Sequence, residues 1–201
     1  MEIDKDIALL QRAYRESELE EEKNKELEKY DLRKKIKYTL AELKEGIKKG
    51  KQFLYTLRIE FEMKDILDGR VKIPYMVNLF DAVDDKPGNL FLASSQRKVS
   101  MDITVIPWAS LVPMKDWMTS IKDSLEKINL HAQIGSPQII NQMEYFSYEV
   151  PTSEGITYNL TFRYHKEDEL YLGTFNCMSE DKEGMGLLLE AVIQIFEEMN
   201  R

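Results

Sequence analysis

Apolar and polar residues alternate with a period of two through much of this chain. Phe53, Tyr55, Leu57, Ile59, Phe61 and Met63 interleave with Leu54, Thr56, Arg58, Glu60 and Glu62. Val99, Met101, Ile103 and Val105 interleave with Ser100, Asp102 and Thr104. Ile156, Tyr158, Leu160, Phe162 and Tyr164 interleave with Thr157, Asn159, Thr161 and Arg163. That period predicts antiparallel strands with one face on a core and the other toward water or a partner. Leu90 to Ala93, Tyr145 to Val150 and Leu170 to Met178 read as further strands. Arg70 to Ile73 reads as a return strand after the Asp68-Gly69 turn, stopped by Pro74. Asp84 to Asn89 reads as a loop.

Two segments switch to a helical period. Met114, Trp117, Met118, Ile121, Leu125 and Ile128 form one stripe within Pro113 to Leu130. Met185, Leu188, Leu189, Val192, Ile193, Phe196 and Met199 form another, behind Asp181 as a candidate cap. Residues 3–51 lack proline and are rich in Glu, Lys, Leu and Arg, which favours a long helix. Ile3, Ile7, Leu10 and Tyr14 give one narrow stripe and Ile36, Leu40, Leu43 and Ile47 another, joined by a charged middle, continuous or hinged. The division this suggests is a charged, coiled-coil-like N-terminal helix over 1–52 and an α+β domain over 53–201.

Pairing the last three strands defines two sheet faces. The loop Pro151 to Gly155 is expected to place Val150 opposite Ile156, Tyr148 opposite Tyr158 and Phe146 opposite Leu160. The loop Lys166 to Glu169 places His165 opposite Leu170, Tyr158 opposite Cys177 and Leu160 opposite Phe175. On that register the apolar side chains share one face, which both amphipathic helices are expected to cover. The opposite face collects Ser147, Glu149, Thr157, Asn159, Thr161, Arg163, Thr174 and Asn176. Of these, Thr157, Asn159, Thr161, Arg163, Thr174 and Asn176 are the candidate binding residues. Threonine, asparagine and arginine can hydrogen-bond a protein partner from a sheet face.

The segment Phe146-Ser147-Tyr148-Glu149-Val150-Pro151 and the run Leu172-Gly173-Thr174-Phe175-Asn176-Cys177 resemble the Mog/PsbP-like fold family. Its members include Ran-binding proteins, photosystem extrinsic subunits and bacterial chaperones of secreted effectors. The similarity runs from about Arg70 to the C-terminus. It implies a compact α+β domain that escorts or chaperones another protein, and it carries over no functional residue.

Charge sharpens this picture. The 201 residues carry a net charge of −8. Residues 1–52 contribute +1 and the remainder −9. An acidic domain argues against nucleic acid as a partner. The stretch Arg33 to Lys51 is basic, with Lys37, Lys44, Lys48 and Lys51 along one helical side. It suits a solvated face, an anionic ligand, or a homodimer in which the acidic Glu16 to Asp31 of one copy meets it. The acidic, non-apolar start is not a secretory signal, and no apolar run reaches membrane-spanning length. The default compartment is the cytoplasm.

Catalytic patterns are sparse. There is no phosphate-binding glycine loop, no His-Glu-x-x-His and no Gly-x-Ser-x-Gly. Cys177 and His165 sit about 23 Å apart on the expected register, too far for a dyad. Cys177 is expected to be a buried thiol, and no cofactor or metal is implied. The expectation is a non-enzymatic adaptor or chaperone-like domain. Alternatives are an enzyme with a site near His131 or within 81–89, and a coiled-coil assembly protein.

Overall fold

The side chains of Thr39 and Glu42 form a reciprocal capping box. Helix α1 (Leu40–Lys48) follows and ends before Gly50, whose φ of +78° turns the chain. The computed structural model describes residues 35–107 and 111–201. The chain divides between Lys37 and Tyr38, and Tyr38–Arg201 forms one compact unit. Thr39 is extended, so a helix continuous to residue 51 is not what forms. Most of the expected N-terminal helix, and the homodimer drawn through it, lie outside the described residues.

A three-stranded antiparallel sheet comes next, in the order β1-β2-β3. Its strands are β1 (Lys51–Leu54), β2 (Leu57–Ile66) and β3 (Val71–Met76). The single strand expected over 53–63 is instead a hairpin. Tyr55 adopts a φ of 54° and turns the chain with Thr56. Neither residue announces a turn, so the alternation runs across the break unmarked. Pro74 lies inside β3, opposite Met63, rather than ending it. A proline is tolerated there because β3 is an edge strand.

The larger sheet runs β4-β5-β6-β11-β10-β9-β7, with β8 also paired to β9. Its strands are β4 (Ala82–Lys86), β5 (Asn89–Ser94), β6 (Val99–Pro107), β7 (Gln133–Ile134), β8 (Gln138–Ile140), β9 (Met143–Thr152), β10 (Gly155–Lys166) and β11 (Glu169–Met178). The loop expected over 84–89 is a hairpin between β4 and β5, turned by Pro87 and Gly88. Gly88 takes a φ of +81°, which a side chain would resist. Helix α2 (Met114–Glu126) connects the two halves of this sheet. Helix α3 (Leu187–Asn200) ends the chain, entered through a 3₁₀ turn at Ser179–Asp181 and a π turn at Lys182–Gly186. Asp181 makes no side-chain cap there.

The register of β10 on β11 is as the alternation predicts, with Tyr158 opposite Cys177 and Leu160 opposite Phe175. The register of β9 on β10 differs by one residue. Ser147 faces Leu160, Phe146 faces Thr161 and Tyr148 faces Asn159. The turn is the two residues Ser153-Glu154 rather than a five-residue loop. A one-residue slip exchanges the faces of a strand. Phe146, Tyr148 and Val150 therefore share the side of Thr157, Asn159 and Thr161.

Helix α3 packs on the apolar side. The Phe196 ring lies 5.7 Å from Phe162 and 5.4 Å from Tyr164. Phe162 also covers Gly173, where a Cβ would come within 2.2 Å of the ring. The other side of α3 meets α1 and β3. Asn200 exchanges two 2.8 Å hydrogen bonds with the Lys72 backbone, acting as a substitute strand partner. The Tyr164 hydroxyl donates to the Asn200 carbonyl at 2.5 Å. Lys44 and Lys48 of α1 both pair with Glu198, at 2.5 and 2.8 Å. Part of the basic stripe read from the sequence is thus neutralised within the domain.

Helix α2 does not join α3 on the apolar side. Trp117 rests on Phe146 and Arg163, which places α2 on the polar face. The reason lies in β9: its slipped register supplies Phe146 as an aromatic foothold on that face.

Candidate functional site

The polar face is built row by row from the strand registers. β10 contributes Thr157, Asn159, Thr161 and Arg163. β11 sets Asn176 opposite Asn159 and Thr174 opposite Thr161. β6 sets Ser100 opposite Asn176 and Asp102 opposite Thr174. β5 then adds Ala93 and Phe91. On the other flank β9 adds Tyr148, Phe146 and Glu144.

Half of this face is closed. The Trp117 ring meets Phe146 edge-on at 4.9 Å, and the Arg163 guanidinium lies 4.7 Å from the Trp117 ring centroid. Arg163 Nε donates to Glu144, its cross-strand partner, in a short ion pair. Phe146 and Arg163 are 1% and 4% exposed. Thr161 Oγ1 donates to the Gly173 carbonyl at 3.1 Å and accepts from the Thr174 hydroxyl at 3.3 Å. Asn159 Nδ2 reaches the Tyr148 carbonyl at 3.4 Å and Thr157 Oγ1 at 3.3 Å. Buried polar groups must be satisfied in this way. The face expected to look toward water or a partner is therefore closed over this half. Asn159, Thr161 and Arg163 are buried, and their hydrogen-bonding capacity goes largely to the sheet itself.

The other half is open. Thr157, Thr174 and Asn176 remain partly accessible. Thr157 and Asn176 line a cleft of about 470 Å³ together with Asp81, Ser95, Lys98 and Ser100. Asn176 Nδ2 donates to Ser100 Oγ at 2.8 Å. Asp81 accepts from the Ser95 hydroxyl at 2.9 Å and its backbone N–H at 3.2 Å, which holds its carboxyl below the usual carboxylate range. Lys98 pairs with Glu154 across the cleft at 3.3 Å. Phe91 stands beside this cleft, 39% exposed.

The sequence reading missed Trp117, which it assigned to the apolar side, and the cleft residues of the β4–β5–β6 corner. Ser100 and Asp102 were visible as the polar side of a strand, but nothing in the chain order placed them next to Asn176. Of the groups considered for chemistry, His131 is exposed. His165 lies opposite Leu170, and Cys177 lies seven residues further along β11. Cys177 is buried on the apolar side, opposite Tyr158. Burial, with a smaller contribution from the Asp181 charge, pushes its thiol up to about 12. Among the described residues no three His, Cys, Asp or Glu side chains group to hold a metal ion. No helix among them is long and apolar enough to cross a membrane.

No protein-family model matches this chain, and no curated protein matches it. Among solved structures it is similar to the cyanobacterial PsbP (CyanoP) of Synechocystis sp. PCC 6803. That similarity has a TM-score of 0.51 at 9% identity and covers 69% of this chain and 90% of CyanoP. A Pseudomonas aeruginosa protein of unknown function matches at a TM-score of 0.36 and 11% identity, covering 62% of this chain and 85% of that one. The fold resemblance is PsbP-like.

Proposed function

We propose that this chain is a non-enzymatic protein-binding domain, adaptor-like or chaperone-like, that docks its partner on the open half of the polar sheet face. The carrying observation is the division of that face. Helix α2 closes the part of the face around Phe146 and Arg163, while Thr157, Thr174, Asn176, Ser100 and Phe91 stay accessible beside a cleft. Hydroxyls and amides around a shallow cleft suit the main chain of an extended segment, and an exposed ring adds apolar area. A stable complex buries about 800 Å² per partner, so the cleft would be one part of the contact. The PsbP-like fold is compatible with this reading but does not select a partner.

The test replaces the open residues and spares the closed ones. Asn176→Arg fills the cleft mouth without entering the core. Immobilised full-length chain and the variant are compared for capture of partners from a lysate, with thermal melts run in parallel. Loss of a captured protein at unchanged melting temperature supports the reading. Identical capture by both removes this face from consideration.

A further inference from the structure

The closed and open halves of the polar face share a pattern of side chains, with one element absent from the open half. On the closed half a carboxylate, Glu144, and an aromatic ring, Trp117, hold the guanidinium of Arg163 between them. On the open half a carboxylate, Asp102, stands directly opposite an exposed ring, Phe91. Among the described residues no cation neighbours Asp102 on that face. Its cross-strand neighbours are Phe91 and Thr174, and its neighbours along β6 are Ser100 and Thr104. The four diagonal positions hold an alanine, a leucine and two asparagines. Among the described residues the polar side-chain contact of Asp102 is Asn89 Nδ2, at a long 3.4 Å. Asn89 gives its better bond, 2.8 Å, to Thr104.

We infer that Asp102 and Phe91 receive an arginine or lysine side chain from an extended basic segment of the partner. The inference rests on the docking face proposed above and states the chemistry of its occupant. Charge complementarity favours it: residues 53–201 carry −9. A carboxylate gives a cation charge-assisted hydrogen bonds, and the adjacent ring adds a cation–π contact. Ser100, one step along β6 from Asp102, also lines the cleft, about 6.6 Å away at strand rise. A peptide main chain in the cleft thus has a side chain within reach of Asp102.

The test titrates the full chain into two fluorescein-labelled ten-residue peptides and reads anisotropy at low salt. One peptide alternates arginine with serine, and the other alternates glutamate with serine. The arginine peptide is expected to bind and the glutamate peptide not. Asp102→Asn, which keeps the side-chain shape, is expected to weaken binding about tenfold. Phe91→Ala is expected to weaken it about threefold. Asp68→Asn, at the β2–β3 turn, is expected to leave it unchanged. Binding by Asp102→Asn within twofold of the parent overturns the inference. Equal losses in Asp102→Asn and Asp68→Asn overturn it too, since attraction would then follow net charge alone. Either failure alongside loss of partner capture by Asn176→Arg leaves the docking face standing and removes the cationic occupant alone.

Discussion

Helices α2 and α3 read alike in the sequence and dock differently. Both carry apolar residues at helical spacing along one side. Helix α3 buries nine of its fourteen residues, whereas α2 buries none of its thirteen. The cause is the surface each one meets. Leu188, Leu189, Val192, Ile193 and Phe196 lie in the core on a helix that meets both sheets, and Phe196 packs against the rings of Phe162 and Tyr164. Met114, Trp117, Met118, Ile121 and Leu125 lie only half-buried, and of these Trp117 rests on Phe146 and the Arg163–Glu144 pair. Fully burying one large apolar side chain contributes about 1.5–3 kcal/mol, and half burial correspondingly less. An apolar stripe therefore announces that a helix docks. The receiving face decides how firmly.

The largest effect should come from breaking the firm side. Phe196→Ala removes a ring that is fully buried against two others, and is expected to cost about 3–5 kcal/mol in urea denaturation. A second readout is the native thiol. Cys177 lies on this same side with its pKa raised to about 12, so at pH 8 it reacts with a disulfide reagent only after local opening. Phe196→Ala should speed that labelling at least tenfold. A cost below about 1 kcal/mol would mean that α3 does not anchor the core.

The weaker side should give a smaller and separable effect. Trp117→Ala removes the edge-on contact with Phe146 and the stacking on Arg163, and is expected to cost about 1–2 kcal/mol. It should leave the Cys177 labelling rate at the parental value, because the thiol is buried on the opposite side of the sheet. Faster labelling in this variant would show that the two sides open together, and the contrast between the helices would lose its meaning.

How much of this was legible depended on whether the signal was local. Alternation fixed the faces of β6, β10 and β11, because a residue's side follows from its parity alone. The β10–β11 register was legible because its turn is short and its apolar sets must coincide. The β9–β10 register was not. Two turn lengths that differ by one alignment step both left plausible faces, and Phe146 and Tyr148 changed sides with the choice. The Tyr55–Thr56 turn was invisible because it uses a positive φ at a tyrosine. The candidate site was half legible. Thr157, Thr174 and Asn176 were named from parity and remain accessible. Asn159, Thr161 and Arg163 were named by the same rule but lie buried. What closes over that part of the face is α2, a segment whose docking side the alternation of β10 cannot report.

The smallest effect tests the third helix against the other two. Helix α1 is tied to α3 by Lys44 and Lys48 on Glu198, whereas the ion pair of α2, Lys122–Glu126, lies within α2 itself. Burial pushes the Glu198 carboxyl up, but the hydrogen bonds and charges of the two lysines outweigh it, so its pKa lies below the ordinary value. A carboxyl lowered on folding stabilises the fold above its unfolded pKa of about 4.3, and that contribution fades as pH falls through the folded pKa. Glu198→Gln should therefore cost up to about 1 kcal/mol at pH 7, a modest value because the pair is partly solvated. Below the folded pKa the variant and parent should converge, since both then carry a neutral side chain. A gap that stays constant down to pH 3 would assign the loss to packing of α1 on α3 rather than to charge.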